Sequence, residues 1–146
     1  MSMRPFTVAM VAGMPYPMAK ASVIRVSNIV RALVNRYQDI RVKIFAYEGI
    51  GPLPSHPCID LHLVGGFDSN KSAYYSWGNK LAADRKLIQA LMRHRHEFDL
   101  IHCHTIEGLG ISQAFKLLTR SKVPVCIDVH GPIVAELVHY RLIPNW

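Results

Sequence analysis

Short apolar runs alternate along the chain with longer segments in which apolar residues recur every three or four positions. The first run, residues 6–12, is rich in valine and too short for a helix, so it predicts a buried strand. From Val23 to Tyr37 the apolar residues fall on one helical face, with most of the arginines and asparagines between them. Ser22 is a suitable N-cap, and we predict a helix that begins directly after it.

The same alternation continues to the end of the chain. Further strands are predicted over residues 40–47, 59–64, 99–104 and 123–129, and further helices over 79–96, 108–119 and 132–140. Residues 49–57 predict a loop, and residues 65–78 an irregular connection. The strands are continuously apolar, which is typical of a parallel sheet with helices on both faces. We therefore predict one doubly wound, mainly parallel α/β domain of the Rossmann-like class over residues 1–146.

Composition narrows the choice of partners and compartment. The formal net charge of +7 favours an anionic partner, which could be nucleic acid, anionic lipid or a phosphorylated small molecule. No nucleic-acid-binding signature is found, so nucleic acid is not expected. The three cysteines form no CxxC, and Cys103 and Cys126 lie in apolar runs where we expect buried free thiols. Free thiols of this kind suit a reducing compartment, so we expect a cytoplasmic protein. The sequence shows neither a signal-peptide pattern nor an apolar run near the ~20 residues of a membrane span.

Histidines follow or end two of the predicted strands. Ligands of doubly wound sheets bind beyond the carboxyl ends of the strands, where His104 and the His130-Gly131 pair are expected to lie. His102 and His104 share one side of their strand, but zinc requires three or four ligands and only His130 offers a third. A polar or catalytic His104 without metal is therefore favoured. His130 is placed to donate to a substrate hydroxyl or phosphate oxygen, and the alternative is a loop histidine that caps a helix.

Charged residues near helix starts form a second group of candidates. Glu107 lies at the start of the third helix, where a carboxylate interacts favourably with the helix dipole, so a structural role also stays open. Lys20 and Ser22 lie at the start of the first helix, and helix N-termini bind anions. For Lys20, and for Lys71 after the third strand, the alternative is a solvated side chain. Asp128 lies inside an apolar strand and requires a partner if it is buried.

Four stretches resemble, in their order and spacing, the N-terminal domain of family-4 glycosyltransferases, which have the two-domain GT-B fold. The first strand, proline-containing loop and first helix correspond to VAMVAGMPYPMAKASVIRVSNIVRALVNR, and the second strand to RVKIFAYEG. FDLIHCHTIEGLGISQAF is similar to the family's D-h-h-H-x-H strand and the helix after it, and VPVCIDVHG to its strand ending in His-Gly or His-Asp. The resemblance extends over nearly the whole chain and implies that it forms one half of a GT-B fold.

The resemblance also implies a reaction and roles for individual residues. The family transfers a sugar from a nucleotide-sugar donor to an acceptor, which its N-terminal domain binds. His130 matches the active-site histidine that contacts the transferred sugar, and His104 and Thr105 match the edge of the cleft. Family reactions are commonly metal-independent, with the leaving diphosphate held by basic groups and a helix N-terminus, so neither a metal nor another cofactor is expected. Residues expected to bind a sugar or phosphorylated acceptor are Lys20, Ala21, Ser22, Lys71, His104, Thr105, Glu107 and Gly131.

Two features depart from the family pattern. Where the family usually has a Gly-Gly pair, this chain has Lys20-Ala21-Ser22, so the side chains of Lys20 and Ser22 are expected to replace close backbone contact with the acceptor. The chain also ends at Trp146, before the donor-binding domain of the family would begin. We therefore expect an incomplete domain that is inactive unless further sequence or a partner chain supplies the donor site.

Two other functions stay open. Another Rossmann-like nucleotide-binding enzyme is disfavoured because no G-x-G-x-x-G follows the first strand, although Glu48 lies near the end of the second. The second predicted helix has a basic side and is preceded by Tyr74, Tyr75 and Trp77, a pattern found in helices that contact anionic membrane surfaces. Packing of its leucines against the sheet is the favoured interpretation of its apolar side.

Overall fold

A computed structural model describes residues 4–16, 21–65 and 77–129. Strands and helices follow one another along these residues as β1 (Phe6–Tyr16), α1 (Ala21–Arg36), β2 (Ile40–Glu48), β3 (Ile59–Val64), α2 (Trp77–Arg93), β4 (Leu100–His104), α3 (Thr105–Thr119) and β5 (Val125–Asp128). The helix predicted over residues 132–140 lies outside the described residues. None of the described helices is long and apolar enough to cross a membrane.

The strands form one parallel sheet in the order β3-β2-β1-β4-β5. β1 is central, with β2 and β3 on one side and β4 and β5 on the other. This order requires the chain to return across β1 after β3, and α2 makes that crossover. The prediction of a Rossmann-like parallel α/β fold is confirmed.

Successive residues of the central strands enter two separate cores because side chains alternate along a strand. Met10 packs towards α1 with Val26 and Ile44, whereas the adjacent Val11 packs towards α2 and α3 with Leu87. All of these side chains are fully buried. The two-sided burial explains why the strands read as continuous apolar runs rather than alternating ones.

Several predicted boundaries were wrong for reasons that lie in tertiary structure. β1 continues past Gly13 to Tyr16, because after an irregularity between Val11 and Pro15 the strand pairs again with the end of β2. Ser22 does not precede α1 as an N-cap, since the helix already begins at Ala21. α3 begins at Thr105, directly after β4, instead of at residue 108.

The two strand cysteines have different environments. Cys103 is buried, as predicted, but Cys126 is exposed. Cys126 lies on β5, whose described pairing is to β4 alone. An apolar run therefore did not guarantee burial at the margin of the described sheet.

Candidate functional site

The carboxyl ends of β1, β4 and β5 meet at the switch point of the sheet, where the strand order reverses between β1 and β4. Sheets of this class bind ligands at that point. Ala12 is paired with His104, and His104 with Asp128, so the ends of the three strands are in register. We call this site the crevice and define it by Gly13, Arg25, Thr105 and Asp128.

Two glycines allow the first turn of α3 to lie directly against β1. A Cβ placed on Gly108 would lie 2.5 Å from the carbonyl oxygen of Val11. One placed on Gly13 would lie 2.6 Å from Cβ of Glu107. Neither distance is tolerated between real atoms, so both positions require glycine as packed. The start of α3 therefore forms one wall of the crevice.

Thr105 has an unusual backbone conformation at the junction of β4 and α3. Its φ is 64°, in the left-handed region that β-branched residues rarely adopt. His104 before it makes no side-chain capping hydrogen bond to the helix. The hydroxyl Oγ1 of Thr105 is buried and has no hydrogen-bond partner among the described residues. A residue with strained backbone at the end of β4 thus carries a buried hydroxyl that has no partner among the described residues.

His104 lies beneath the crevice and not on its surface. Its side chain is fully buried, with Nε2 2.9 Å from Sδ of Met10 and Nδ1 3.6 Å from Oδ2 of Asp128. These contacts connect β1, β4 and β5 below the strand ends. The contact of His104 with a substrate remains a prediction, while its described contacts give it a structural role.

Arg25 of α1 reaches over the strand ends to the carboxylate of Asp128. Its Nε and Nη2 donate to Oδ2 and Oδ1 at 2.7 and 2.8 Å, a bidentate ion pair. Sequence reasoning identified Asp128 as requiring a partner but assigned Arg25 only to the polar side of the first helix. Asp128 is the last residue of β5, 103 positions from Arg25, so no local pattern could have paired them.

His102 shares the α1 face of the sheet with His104 but lies further from the crevice. It lines an apolar groove of about 700 Å³ with Leu33 and Leu100 among other residues. Burial lowers the pKa of His102, and the nearby carboxylate of Asp128 partly opposes this effect. The rings of the two histidines are 4.8 Å apart, yet the described residues contain no group of three or more histidine, cysteine or acidic side chains suited to a metal.

The other predicted site residues have varied positions. Glu107 is exposed in the first turn of α3, where its charge favours the helix dipole. Ala21 and Ser22 begin α1, but their side chains are not among those described. Lys20, Lys71, His130 and Gly131 lie outside the described residues, and their roles stay predictions.

Sequence reasoning missed a polar cluster at the carboxyl end of β2. The hydroxyl of Tyr47 donates to Asp84 of α2, and Lys80 Nζ lies 3.0 Å from Asp84 Oδ2. Tyr47 is almost fully buried, which explains why its hydroxyl requires a polar partner. The four-residue spacing of Lys80 and Asp84 on a helix was the available sequence signal.

The fold defines the class of the protein, a Rossmann-like α/β domain with a crevice at the switch point of its sheet. Among solved structures it is similar to the C-terminal domain of a hydrogenase from Pyrococcus furiosus, residues 78–226 of that protein, with a TM-score of 0.52 and 15% sequence identity. The match covers 88% of this chain and 93% of that chain. At this identity the likeness concerns the fold alone.

A family model narrows the class to one group of enzymes. The model of Glycosyltransferase Family 4 matches residues 22–146, and the chain belongs to this family. The resemblance drawn from the four sequence stretches is therefore confirmed. A search of the curated proteins found no match.

Proposed function

We propose that this domain binds the acceptor of a transferase that moves a sugar from a nucleotide-sugar donor. Membership in glycosyltransferase family 4 supports a transferase over other Rossmann-like nucleotide-binding enzymes. The observation that carries the acceptor assignment is the left-handed Thr105, with its buried hydroxyl, at the switch point of the sheet. A second, donor-binding domain is required for transfer, and this domain alone is inactive.

Thr105 carries two energetic costs, the second of which a ligand would offset. A left-handed non-glycine residue costs about 1–3 kcal/mol, and such residues cluster at binding sites. A buried hydroxyl without a partner costs roughly another 1–3 kcal/mol. An acceptor hydroxyl or phosphate oxygen that reached Oγ1 would give it the partner that it lacks among the described residues. The backbone of Thr105 already has this conformation in the unbound domain, so the gain from binding is the new hydrogen bond to its hydroxyl.

The remaining candidates are assigned by charge and by position in the chain. Lys20, Ser22 and Lys71 supply positive charge and hydrogen-bond donors to a sugar or phosphorylated acceptor. His130 donates to the transferred sugar, and Gly131 beside it allows close approach. Transfer of this kind needs stabilisation of the developing charge more than a protein nucleophile, so none of these residues is given that role.

Substitutions at Thr105 test the acceptor assignment. We expect Thr105→Val to lower nucleotide-sugar turnover by the complete gene product about tenfold or more, because the buried hydroxyl is removed at nearly constant shape. Thr105→Ser retains the hydroxyl and should retain most activity. Turnover is measured as nucleoside diphosphate release from UDP-glucose, UDP-N-acetylglucosamine and GDP-mannose, with a panel of monosaccharides and sugar phosphates as acceptors of the transferred sugar.

A matched control lies at the other end of α3. Thr119 donates its hydroxyl to the carbonyl oxygen of Phe115 at 2.7 Å, away from the crevice. Thr119→Val makes the same chemical change, and we expect it to leave turnover unaltered. Equal turnover of wild type and Thr105→Val would contradict the role of Thr105, and unchanged turnover of His130→Ala would contradict that of His130.

A contact with an anionic membrane is a second candidate function, compatible with a cytoplasmic enzyme. Leu81 on α2 and Leu117 on α3 are 64% and 80% exposed, and the exposed Arg85 and Lys86 neighbour Leu81 along α2. Leu87, by contrast, is buried in the core, so only part of the apolar residues of α2 serves packing. Sedimentation with phosphatidylglycerol vesicles should show binding that salt weakens, and absence of binding at low salt would contradict this candidate.

A further inference from the structure

We propose that Arg25 and Asp128 form a positioning pair, which holds the end of β5 against the start of α1 and so aligns the reactive groups of the transferase. The inference rests on the proposed function. It gives a role to two residues that the family resemblance leaves without one. Neither residue is expected to touch the substrates.

The geometry of the pair is more specific than that of an ordinary surface ion pair. Both oxygens of Asp128 accept from the guanidinium of Arg25, at 2.7 and 2.8 Å. The carboxylate is only 13% exposed and the arginine side chain 55% exposed. A largely buried carboxylate requires its partner, whereas an exposed ion pair contributes little. The planar fork of arginine also fixes the orientation of the carboxylate, which the single ammonium of lysine does not.

The pair joins the two segments to which the resemblance assigns substrate contacts. Asp128 ends β5, two positions before His130 in the sequence. Arg25 lies in the first turns of α1, five positions after Lys20. One ion pair therefore links the segment that leads to the active-site histidine with the segment that leads from the acceptor loop.

The sheet provides only part of this alignment. β5 is four residues long and lies at the margin of the described sheet, whereas α1 packs on β1 and β2 with Val26 and Val30 among its core residues. The buried imidazole of His104 lies 3.6 Å from Asp128 on the side of β4. Arg25 approaches the same carboxylate from α1, so two of the described elements contact Asp128 from different sides.

The test compares Arg25→Lys with Arg31→Lys, an exposed arginine of the same helix. Nucleoside diphosphate release from UDP-glucose, UDP-N-acetylglucosamine and GDP-mannose is measured on the complete gene product, with the same panel of monosaccharides and sugar phosphates as acceptors. We expect Arg25→Lys to lower kcat about tenfold without raising KM for the nucleotide sugar, since small displacements at a reacting centre cost up to about a hundredfold. Arg31→Lys should match wild type in both constants. A merely structural role would lower the folded fraction and leave kcat per folded molecule unchanged.

Two further measurements test whether Arg25 and Asp128 act on the reaction together, through their contact, or independently. Asp128→Asn combined with Arg25→Lys should reduce kcat no more than the more severe single variant, because coupled residues are not additive. Amide hydrogen exchange over residues 125–129 should be faster in Arg25→Lys than in Arg31→Lys. Additive losses in kcat, or equal exchange in the two variants, would overturn the positioning role. A third outcome is that wild type turns over none of the three nucleotide sugars while exchange is still faster in Arg25→Lys. That outcome would overturn the proposed function and leave the pair as a structural contact.

Discussion

The two ends of α3 have the same backbone conformation for different reasons. Thr105 at its start and Arg120 just past its end have φ values of 64° and 53°, and they are the two non-glycine residues in the left-handed region among the described residues. At Arg120 the backbone N–H bonds to the carbonyl oxygen of Lys116, as in the left-handed turn that commonly ends a helix. At Thr105 no capping contact accounts for the conformation among the described residues.

The difference separates a conformation that serves the helix from one for which we propose a role at the site. Left-handed residues at a helix C-terminus satisfy carbonyl groups that would otherwise lack donors, so the local structure explains Arg120. Thr105 instead lies where a strand enters a helix, beside two glycines that bring α3 against β1. Left-handed residues of this kind cluster at binding sites, which agrees with the acceptor contact that we propose for Thr105.

The largest expected effect concerns glycines near the start of α3, which borders the crevice and which we call the site end of the helix. Gly108→Ala should lower the free energy of unfolding by about 3 kcal/mol or more, because the new methyl group would meet backbone atoms of β1. Gly110, two positions further, has open space around its Cβ position, and Gly110→Ala should raise stability by up to about 1 kcal/mol. Urea unfolding of both variants makes the measurement. Similar losses in the two variants would show that the contact between α3 and β1 is not tight.

A second expected effect concerns the thiol beneath the site end. Cys103 donates to Ser112 Oγ at 3.1 Å, and Ser112 in turn donates to the carbonyl oxygen of Gly108. Burial raises the pKa of Cys103. We expect iodoacetamide to modify the exposed Cys126 at least about a hundredfold faster, since a buried group reacts only after local opening. Peptide mass spectrometry checks the ratio, and comparable rates would indicate that this end of α3 opens readily.

Glycine at each of the two left-handed positions tests whether the ends of α3 differ in function. Thr105→Gly and Arg120→Gly should each raise the free energy of unfolding by about 0.5–1 kcal/mol. Glycine relieves the strain of the left-handed backbone, and this gain exceeds the extra chain entropy that glycine loses on folding. Only Thr105→Gly should lower nucleotide-sugar turnover, by about tenfold, since it removes the proposed acceptor contact. Equal turnover in both variants would mean that the two ends of α3 do not differ in function.

Much of the fold was predictable from the sequence, whereas much of the crevice was not. The apolar runs and the helical period of residues such as Val23, Val26 and Val30 predicted a parallel sheet because burial on both faces leaves a direct pattern. Pro15 was interpreted as part of a loop, yet β1 continues through it because β2 offers a partner strand. The conformation of Thr105 and the pairing of Arg25 depend on contacts distant in sequence, which no local pattern reports.

The smallest expected effect is a dependence of stability on pH that originates at His102 of β4, the strand that leads into α3. Burial lowers the pKa of His102 below its ordinary value of 6.5, so the unfolded chain takes up this proton at higher pH than the folded domain. Stability should therefore fall as the pH decreases below about 6.5. The sequence of residues 115–124, around the other end of α3, contains no histidine and should contribute nothing over this range.

Two substitutions assign this pH dependence. His102→Gln should flatten the decrease in the free energy of unfolding between about pH 7.5 and pH 5.5, measured with urea at each pH. A remaining slope is expected from His62, whose pKa is also lowered, by burial first and then by the charges of His94 and Lys43, with Asp60 and Glu97 opposing them. His62→Gln should reduce that remainder. If the slope of His102→Gln equalled that of wild type, the half-buried imidazole next to β5 would not be neutral in the folded domain, and the charge balance inferred around Asp128 would need revision.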